Sequence, residues 1–389
     1  MAQVIHWRKL KSLTPPILSP DDTEGLKKSL AENGYAVVKV MEEETATQRF
    51  HEFWDWLEGL GSGIDRTKPE TWDKKENWPD SIFGMLNSYG IGQADFVWKC
   101  RTEPNVLKAF ATIWNVPPED LLSSFDGACL YPSPNDIVPS PTSTSPPPEF
   151  DPSKTPLPPI QGSNELEDGH IQLWAHADQS PAEPGFLCIQ GQLVLRSNLN
   201  PADGGLILYP NTHTIAWKDR YPNSTKYSTH YYRPPNDVPE TQPSEAHVCR
   251  VPAGSLILWD SRMIHCNCPP QSTEKGAHTR ACTYICMMPR SLATPAVLAE
   301  RIQLHKKHCT TGHWPHELSV NPDGGFFAGS KVTGKDVMLR VRKQEAFGVR
   351  DPIVRRLVGY ESGEATWMEA VGNSVGSAME RLGLSKAAV

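Results

Sequence analysis

At 389 residues the chain has length for one large domain or two smaller ones, and enough for a sizeable core. A net charge of -7 and a pI near 6.0 give no general attraction to nucleic acid or membrane surfaces, and no apolar run approaches a membrane span. Nine cysteines, an odd number without compact spacing, read as reduced thiols; with no apolar leader at the start, the expectation is a soluble, cytoplasmic protein of unspecified oligomeric state.

Ser19-Pro20-Asp21-Asp22 followed by Glu24 to Asn33 predicts a capped helix with acidic residues at its positive end, stopped by Gly34. Tyr35 to Val40 reads as a strand. Residues 43–60 are again helical, with Phe50, Phe53, Trp54 and Leu57 on one face. Trp, Pro and Gly between Trp72 and Gly92 suggest an irregular packed loop, and helical spacing resumes from Asn105 to Trp114. From Pro132 to Glu167 the chain turns Pro- and Ser-rich with few aromatics, so it is expected to be a mobile insertion that folding can dispense with. Short strand-like runs follow at Gly185 to Leu195, Gly205 to Tyr209, His247 to Val251, Ser255 to Trp259 and Arg280 to Met287. Their number and spacing favour a mainly β fold with flanking helices, its core a double-stranded β-helix, that is, a cupin-like jelly roll. Pro352 to Gly359 and Glu364 to Leu382 read as helices. The resulting division is 1–131 for N-terminal helices and lead-in strands, 132–167 for the insertion, 168–290 for the catalytic core, and 291–389 for a helical extension.

Trp174-Ala175-His176-Ala177-Asp178 contains a His-x-Asp pair. On a strand, residues i and i+2 share a face, so His176 and Asp178 could both point into a barrel. An imidazole and a carboxylate supply two thirds of a facial triad, which leaves open positions on Fe(II) for a bidentate 2-oxo acid and O2. His265, at the end of the apolar run Ser255 to Trp259 and Asp260 to Ile264, supplies the third ligand. Arg280 opens the next strand, and its planar fork suits the distal carboxylate of 2-oxoglutarate. Gln190 and Gln192 share one face of a strand and are candidates to line the same pocket. Taken singly, each of these residues also has a plain structural reading, as a surface pair, a core histidine or a satisfied amide; their order along the chain favours the site.

The stretch Trp174 to Met288 resembles the phytanoyl-CoA dioxygenase family of Fe(II)/2-oxoglutarate-dependent oxygenases. Besides His176-Ala177-Asp178, the likeness lies in Asp203-Gly204-Gly205-Leu206 running to Tyr209-Pro210-Asn211-Thr212-His213, and in Trp259-Asp260-Ser261-Arg262 before His265 with Arg280 downstream. Gly34 to Val38 and Ser124-Phe125-Asp126-Gly127 look like its lead-in strands. The resemblance implies Fe(II) held by His176, Asp178 and His265, 2-oxoglutarate held by Arg280, and Asn267 hydrogen-bonding the co-substrate. It also implies an oxygenase that hydroxylates or otherwise oxidises a small organic substrate, with 2-oxoglutarate decarboxylated to succinate. The chain departs from the family in a longer interval from His265 to Arg280, in Asn211-Thr212 for Gly-Ser, and in the Pro-rich insertion. Two alternatives stay open: a cupin-like metalloprotein using Zn or Mn for isomerisation or binding, and an oxygenase acting on a nucleobase or protein side chain. His305, His308, Cys309, His313 and His316 are dense but lack paired Cys-x-x-Cys spacing, so a solvated, partly packed loop is expected there rather than zinc. Cys266 and Cys268 read as pocket lining. Trp98 and Arg101 read either as pocket-facing or as helix-capping, and Trp98, Trp174 and Trp259 as possible apolar walls.

Overall fold

The structure is a computed structural model and describes residues 3–72, 77–79, 81, 83–143, 166–183, 185–221, 231–271, 274, 276–318 and 351–360. Residues 3–18, for which periodicity predicts nothing, form the short strands β1 (Gln3–His6), β2 (Lys11–Leu13) and β3 (Ile17–Leu18). Helix α1 (Thr23–Asn33) begins where the Asp22 carboxylate accepts the Gly25 N–H at 2.9 Å. It ends at Gly34, whose φ of 78° favours glycine and where a Cβ would strike the His213 ring. Then come β4 (Tyr35–Lys39), α2 (Glu43–Gly59), β5 (Met85–Leu86), α3 (Asp95–Arg101), α4 (Pro104–Trp114), β6 (Leu121–Ser123) and β7 (Ala128–Tyr131). The second half supplies β8 (His170–Leu173), β9 (Ile189–Val194), β10 (Gly205–Leu208), the single turn α5 (Trp217–Arg220), β11 (His247–Cys249) and β12 (Ser255–Asp260). It closes with β13 (His265–Cys268), β14 (Arg280–Pro289), α6 (Pro295–Lys306) and α7 (Pro352–Val358). The expected helix at 364–382 lies outside the described residues. No described helix is long and apolar enough to cross a membrane.

The larger sheet runs β3-β4-β12-β9-β14-β7-β5, with β6 also on β14; the smaller runs β13-β10-β11-β2, and β1 pairs with β8. Period-two alternation sorts the two faces of the larger sheet. Ala36, Val38, Leu193, Leu256, Leu258, Ala281, Ile285 and Met287 pack with Phe50, Phe53, Trp98 and Phe110 of the helices. Tyr35, Val37, Val194, Ile257 and Trp259 point the other way and pack with Leu206, Leu208 and Cys249 of the smaller sheet. The fold is therefore mixed α and β: helices outside, then the larger sheet, then the smaller one. Gln190, Gln192, Arg280, Cys282, Tyr284 and Cys286 fall on the inner face, between the sheets. All nine cysteines are free and buried.

The first residues of the Pro-rich stretch belong to this packing. Ser133 Oγ donates to the Ala277 carbonyl at 2.7 Å, and the Asp136 carboxylate accepts from the Thr279 N–H and pairs with Arg196. Residues 144–165, the remainder of the proposed insertion apart from its last two positions, lie outside the described residues.

Two fully buried arginines fasten loops through carbonyl groups. Arg301 of α6 donates to Ser123 at 2.6 Å, Pro315 at 2.7 Å, Val358 at 2.8 Å and Leu357 at 2.9 Å. Arg101 of α3 donates to Gly92 at 2.5 Å and Asp126 at 2.7 Å. Burying a guanidinium costs free energy, and these charge-assisted bonds offset it. Arg301→Met keeps the volume but strands four carbonyls; a net loss of about 2–4 kcal/mol is expected, read as a lower midpoint in denaturant unfolding.

Candidate metal centre

The His-x-Asp pair does not sit on a strand, contrary to the sequence expectation. β8 ends at Leu173, and residues 174–178 make only isolated bridges, His176 to His265 and Ala177 to Tyr232. Nor does His265 end the strand that precedes it: it opens a new one, β13, after a turn at residues 261–264. What joins the two histidines is a reciprocal backbone pair, His176 N–H to the His265 carbonyl at 3.0 Å and the reverse at 2.8 Å. Directly opposed residues of an antiparallel pair project to the same side. Their ring centroids accordingly lie 4.4 Å apart.

One donor atom from each of His176, Asp178 and His265 lies within 4.8 Å of the others. Asp178 Oδ1 is 3.5 Å from His176 Nε2, and Oδ2 is 3.3 Å from His265 Nε2. Each Nδ1 is 3.0 Å from a carbonyl, of Trp174 for His176 and of Met263 for His265. A carbonyl can only accept, so Nδ1 carries the proton and Nε2 presents its lone pair to the shared space. Burial pulls the His176 imidazole below its ordinary pKa, further than Asp178 raises it, which favours the neutral, ligating form. Burial alone would raise the Asp178 carboxyl, but His313, His176 and His265 outweigh it and hold the group well below the usual range. Two imidazoles and one carboxylate, with no thiol among them, suit a divalent metal of the Fe(II) kind.

Gln190 orients the acid: its Nε2 donates to Asp178 Oδ2 at 2.9 Å. Replacing Gln190 with Leu is expected to weaken metal binding by about 10- to 100-fold, the usual loss for an outer partner of a ligand. A titration with Co(II) followed by its visible bands measures this, and an unchanged affinity would deny Gln190 the orienting role.

Gln192, two residues on and on the same face, accepts from Arg280 Nη2 at 3.0 Å. A two-residue strand step, roughly 7 Å, separates the backbone of the glutamine that contacts the acid from that of the glutamine that contacts the guanidinium. Arg280 is buried at the start of β14, with Nη1 2.7 Å from the Cys129 sulfur and the Tyr131 ring 6.0 Å away. No carboxylate pairs with it among the described residues, and its Nε has no acceptor there. Burial opposes ionisation of the Cys129 thiol, but Cys282 and the Arg280 charge outweigh it and lower its pKa. By contrast Arg262 is held by Asp260 at 2.6 Å and 2.9 Å. It lines a separate cavity of about 430 Å³ with Gln179, His213 and Trp217.

The remaining candidates divide. Asn267 stands on β13 two residues past His265, and its Nδ2 donates to the Phe83 carbonyl at 2.9 Å. Trp174 stacks on His176 at 4.3 Å and Trp259 lies 5.2 Å from His265, so both wall the centre. Trp98 does not: it is buried between Phe125 and His305, with Nε1 on Gln93. Arg101 is the buried clamp described above, neither pocket-facing nor a cap. Cys266 and Cys268 alternate with His265 and Asn267 and pack into the apolar cluster on the far side of β13. The His-rich stretch is partly packed: Thr310 and Thr311 are buried and Arg301 holds Pro315, while His308, His313 and His316 stay part-exposed. Its histidines diverge: His305 faces Tyr360, His316 faces the Pro289 carbonyl, and only His313 approaches Asp178. That approach, and the Asp126 carboxyl beside it, have no signature in the sequence.

No protein-family profile matches the chain. It is 28% identical over 273 residues, 67% of this chain and 76% of the other, to Ava biosynthesis cluster protein O of Aspergillus versicolor. The crystal structure of GlcNAc Inducible Gene 2 from Candida albicans aligns with TM-score 0.51 and 11% identity over 98% of this chain and 87% of that one. The epimerase SnoN, solved with Fe3+, alpha ketoglutarate and nogalamycin RO, aligns over 69% of this chain and 84% of that one with 13% identity. Its TM-score of 0.38 is too low to bear on the chemistry here. The likeness to the Candida albicans protein is one of fold: at 11% identity the two chains share an architecture.

Proposed function

We propose that the chain is a non-haem Fe(II), 2-oxoglutarate-dependent oxygenase acting on a small organic molecule, built on a double-stranded β-helix and akin to the phytanoyl-CoA dioxygenases. The observation that carries this reading is the clustering of His176, Asp178 and His265 donor atoms within 4.8 Å, with Arg280 one strand step away on the same inner face. The two facing sheets support the jelly-roll reading.

The Nδ1–carbonyl contacts of both histidines and the acid Asp178 support the fit of this donor set to the metal. His176, Asp178 and His265 would hold Fe(II). Arg280 would bind the distal carboxylate of 2-oxoglutarate in place of the soft Cys129 sulfur, with Gln192 keeping the fork in plane. Once bound, the iron supplies activation of O2, coupling decarboxylation of 2-oxoglutarate to succinate with oxidation of a substrate C–H bond. Trp174 and Trp259 shield the ligands from water.

The acidic net charge supports a small-molecule substrate over nucleic acid, whose phosphates demand basic contacts. Fe(II)-dependent release of succinate from 2-oxoglutarate tests the proposal. Equal turnover with Zn(II), or tight metal binding without succinate, would favour the cupin-like alternative.

A further inference from the structure

We propose that Asp126 and His313 recognise the polar end of the substrate, and that this end is a protonated nitrogen. The proposal rests on reading the neighbouring triad as the oxygenase centre, and it adds the substrate class.

Two distant segments meet here. The Thr311 N–H donates to the Phe125 carbonyl at 3.0 Å, and the Phe125 N–H donates to Thr311 Oγ1 at 3.3 Å. Asp126 and His313 follow this junction by one and two residues. Arg101 holds the Asp126 carbonyl, and Arg301 holds the carbonyls of Ser123 and Pro315, so both backbones are fixed from behind. The backbone on either side of Asp126 is tied to the strand beside the metal ligands: the Ser124 N–H donates to the Cys286 carbonyl at 2.8 Å and the Tyr284 N–H to the Gly127 carbonyl at 3.1 Å, while Cys286 is in register with Gln190, which holds Asp178. In keeping with this, His313 and Asp126 both interact electrostatically with the Asp178 carboxyl.

Both side chains have bonding capacity unused by the protein. The Asp126 carboxylate accepts the Gly127 N–H at 2.7 Å through Oδ1, and no cation pairs with it within 4.0 Å among the described residues. Arg101 is close, but its two terminal nitrogens are committed to carbonyls. His313 Nε2 is buried and has no partner among the described residues. Tyr231, 40% exposed, stacks on His176 at 5.2 Å, adding an aromatic face over the metal ligands for an apolar body of the ligand. A half-buried carboxylate without a cation of its own matches a cationic group on the ligand. A neutral or anionic ligand would cover Asp126 and leave it unpaired, at a desolvation cost.

The test uses full-length protein loaded with Co(II) and 2-oxoglutarate, titrated by calorimetry with 2-phenylethylamine and with neutral 2-phenylethanol. Wild type should bind the amine about tenfold more tightly, the scale of one charge-assisted hydrogen bond. Asp126→Asn, which keeps the acceptor for Gly127, should lose that preference while its Co(II) bands and affinity stay the same. His313→Gln should weaken both probes and keep the preference. Equal binding of the two probes by wild type, or no amine binding at all, overturns the proposal. So does a preference that survives in Asp126→Asn, the result expected if the amine merely ligates cobalt. An Asp126-dependent preference in a protein that fails to bind Co(II) would uphold the recognition site and reject the oxygenase reading, so the two can fail separately.

Discussion

Exchanging Asp178 for Ala is expected to reduce succinate formation from 2-oxoglutarate to the level of the metal-free protein. Asp178 is the only anion in the donor set, and it lies 3.5 Å and 3.3 Å from the two imidazole Nε2 atoms. Two neutral imidazoles bind Fe(II) weakly and leave its charge uncompensated. The exchange also leaves the Gln190 amide without the acceptor it uses at 2.9 Å. Metal content after gel filtration and succinate release should fall together. Wild-type succinate output from the Asp178→Ala protein would show that the iron is held elsewhere.

Arg280→Ala should raise the KM for 2-oxoglutarate by about a hundredfold, since a bidentate guanidinium–carboxylate contact supplies two bonds of roughly 1.5 kcal/mol each. Metal affinity should change little, because Arg280 touches none of the three ligands. Arg280→Lys retains the charge but loses the fork, and an intermediate KM is expected. Steady-state kinetics in 2-oxoglutarate, paired with a Co(II) titration, separate the two effects. An unchanged KM would move the anchor to another basic residue. Arg262 would be tested first, although Asp260 already occupies its fork.

The parts of this molecule that were legible in the sequence are those where one local rule decides the outcome. Asp22 and Gly34 bound α1 because a cap and a left-handed residue leave direct signatures. The inner core strands announce themselves through dense apolar runs such as Ser255–Asp260. The triad was readable as residue types in a particular order, yet its local structure was not. His176 and Asp178 are aligned by hydrogen bonds to a distant segment, so no periodicity marks them. Strands β1, β2 and β3 are two to four residues long, too short for alternation to register. Arg101 and Arg301 look like surface charges of amphipathic helices; only their carbonyl partners, supplied by remote loops, explain their burial. Asp126 and His313 are brought together by those same loops, which is why neither stood out as a pair.

The alternation along β13 makes the chemistry of the centre depend on strand register. His265 and Asn267 face one way, Cys266 and Cys268 the other, and the pairing of His265 with Leu208 and Cys266 with Ile207 holds that choice. One residue deleted in the turn at 261–264 and absorbed by sliding β13 a single step would exchange its two faces and bring Cys266 to the place of His265. The slipped strand would offer a thiol where an imidazole belongs, converting an oxygen- and nitrogen-lined centre that suits Fe(II) into a softer one suited to Zn(II) or Cu(I). In this chain a change of metal preference therefore lies one deletion away, with no ligand residue substituted.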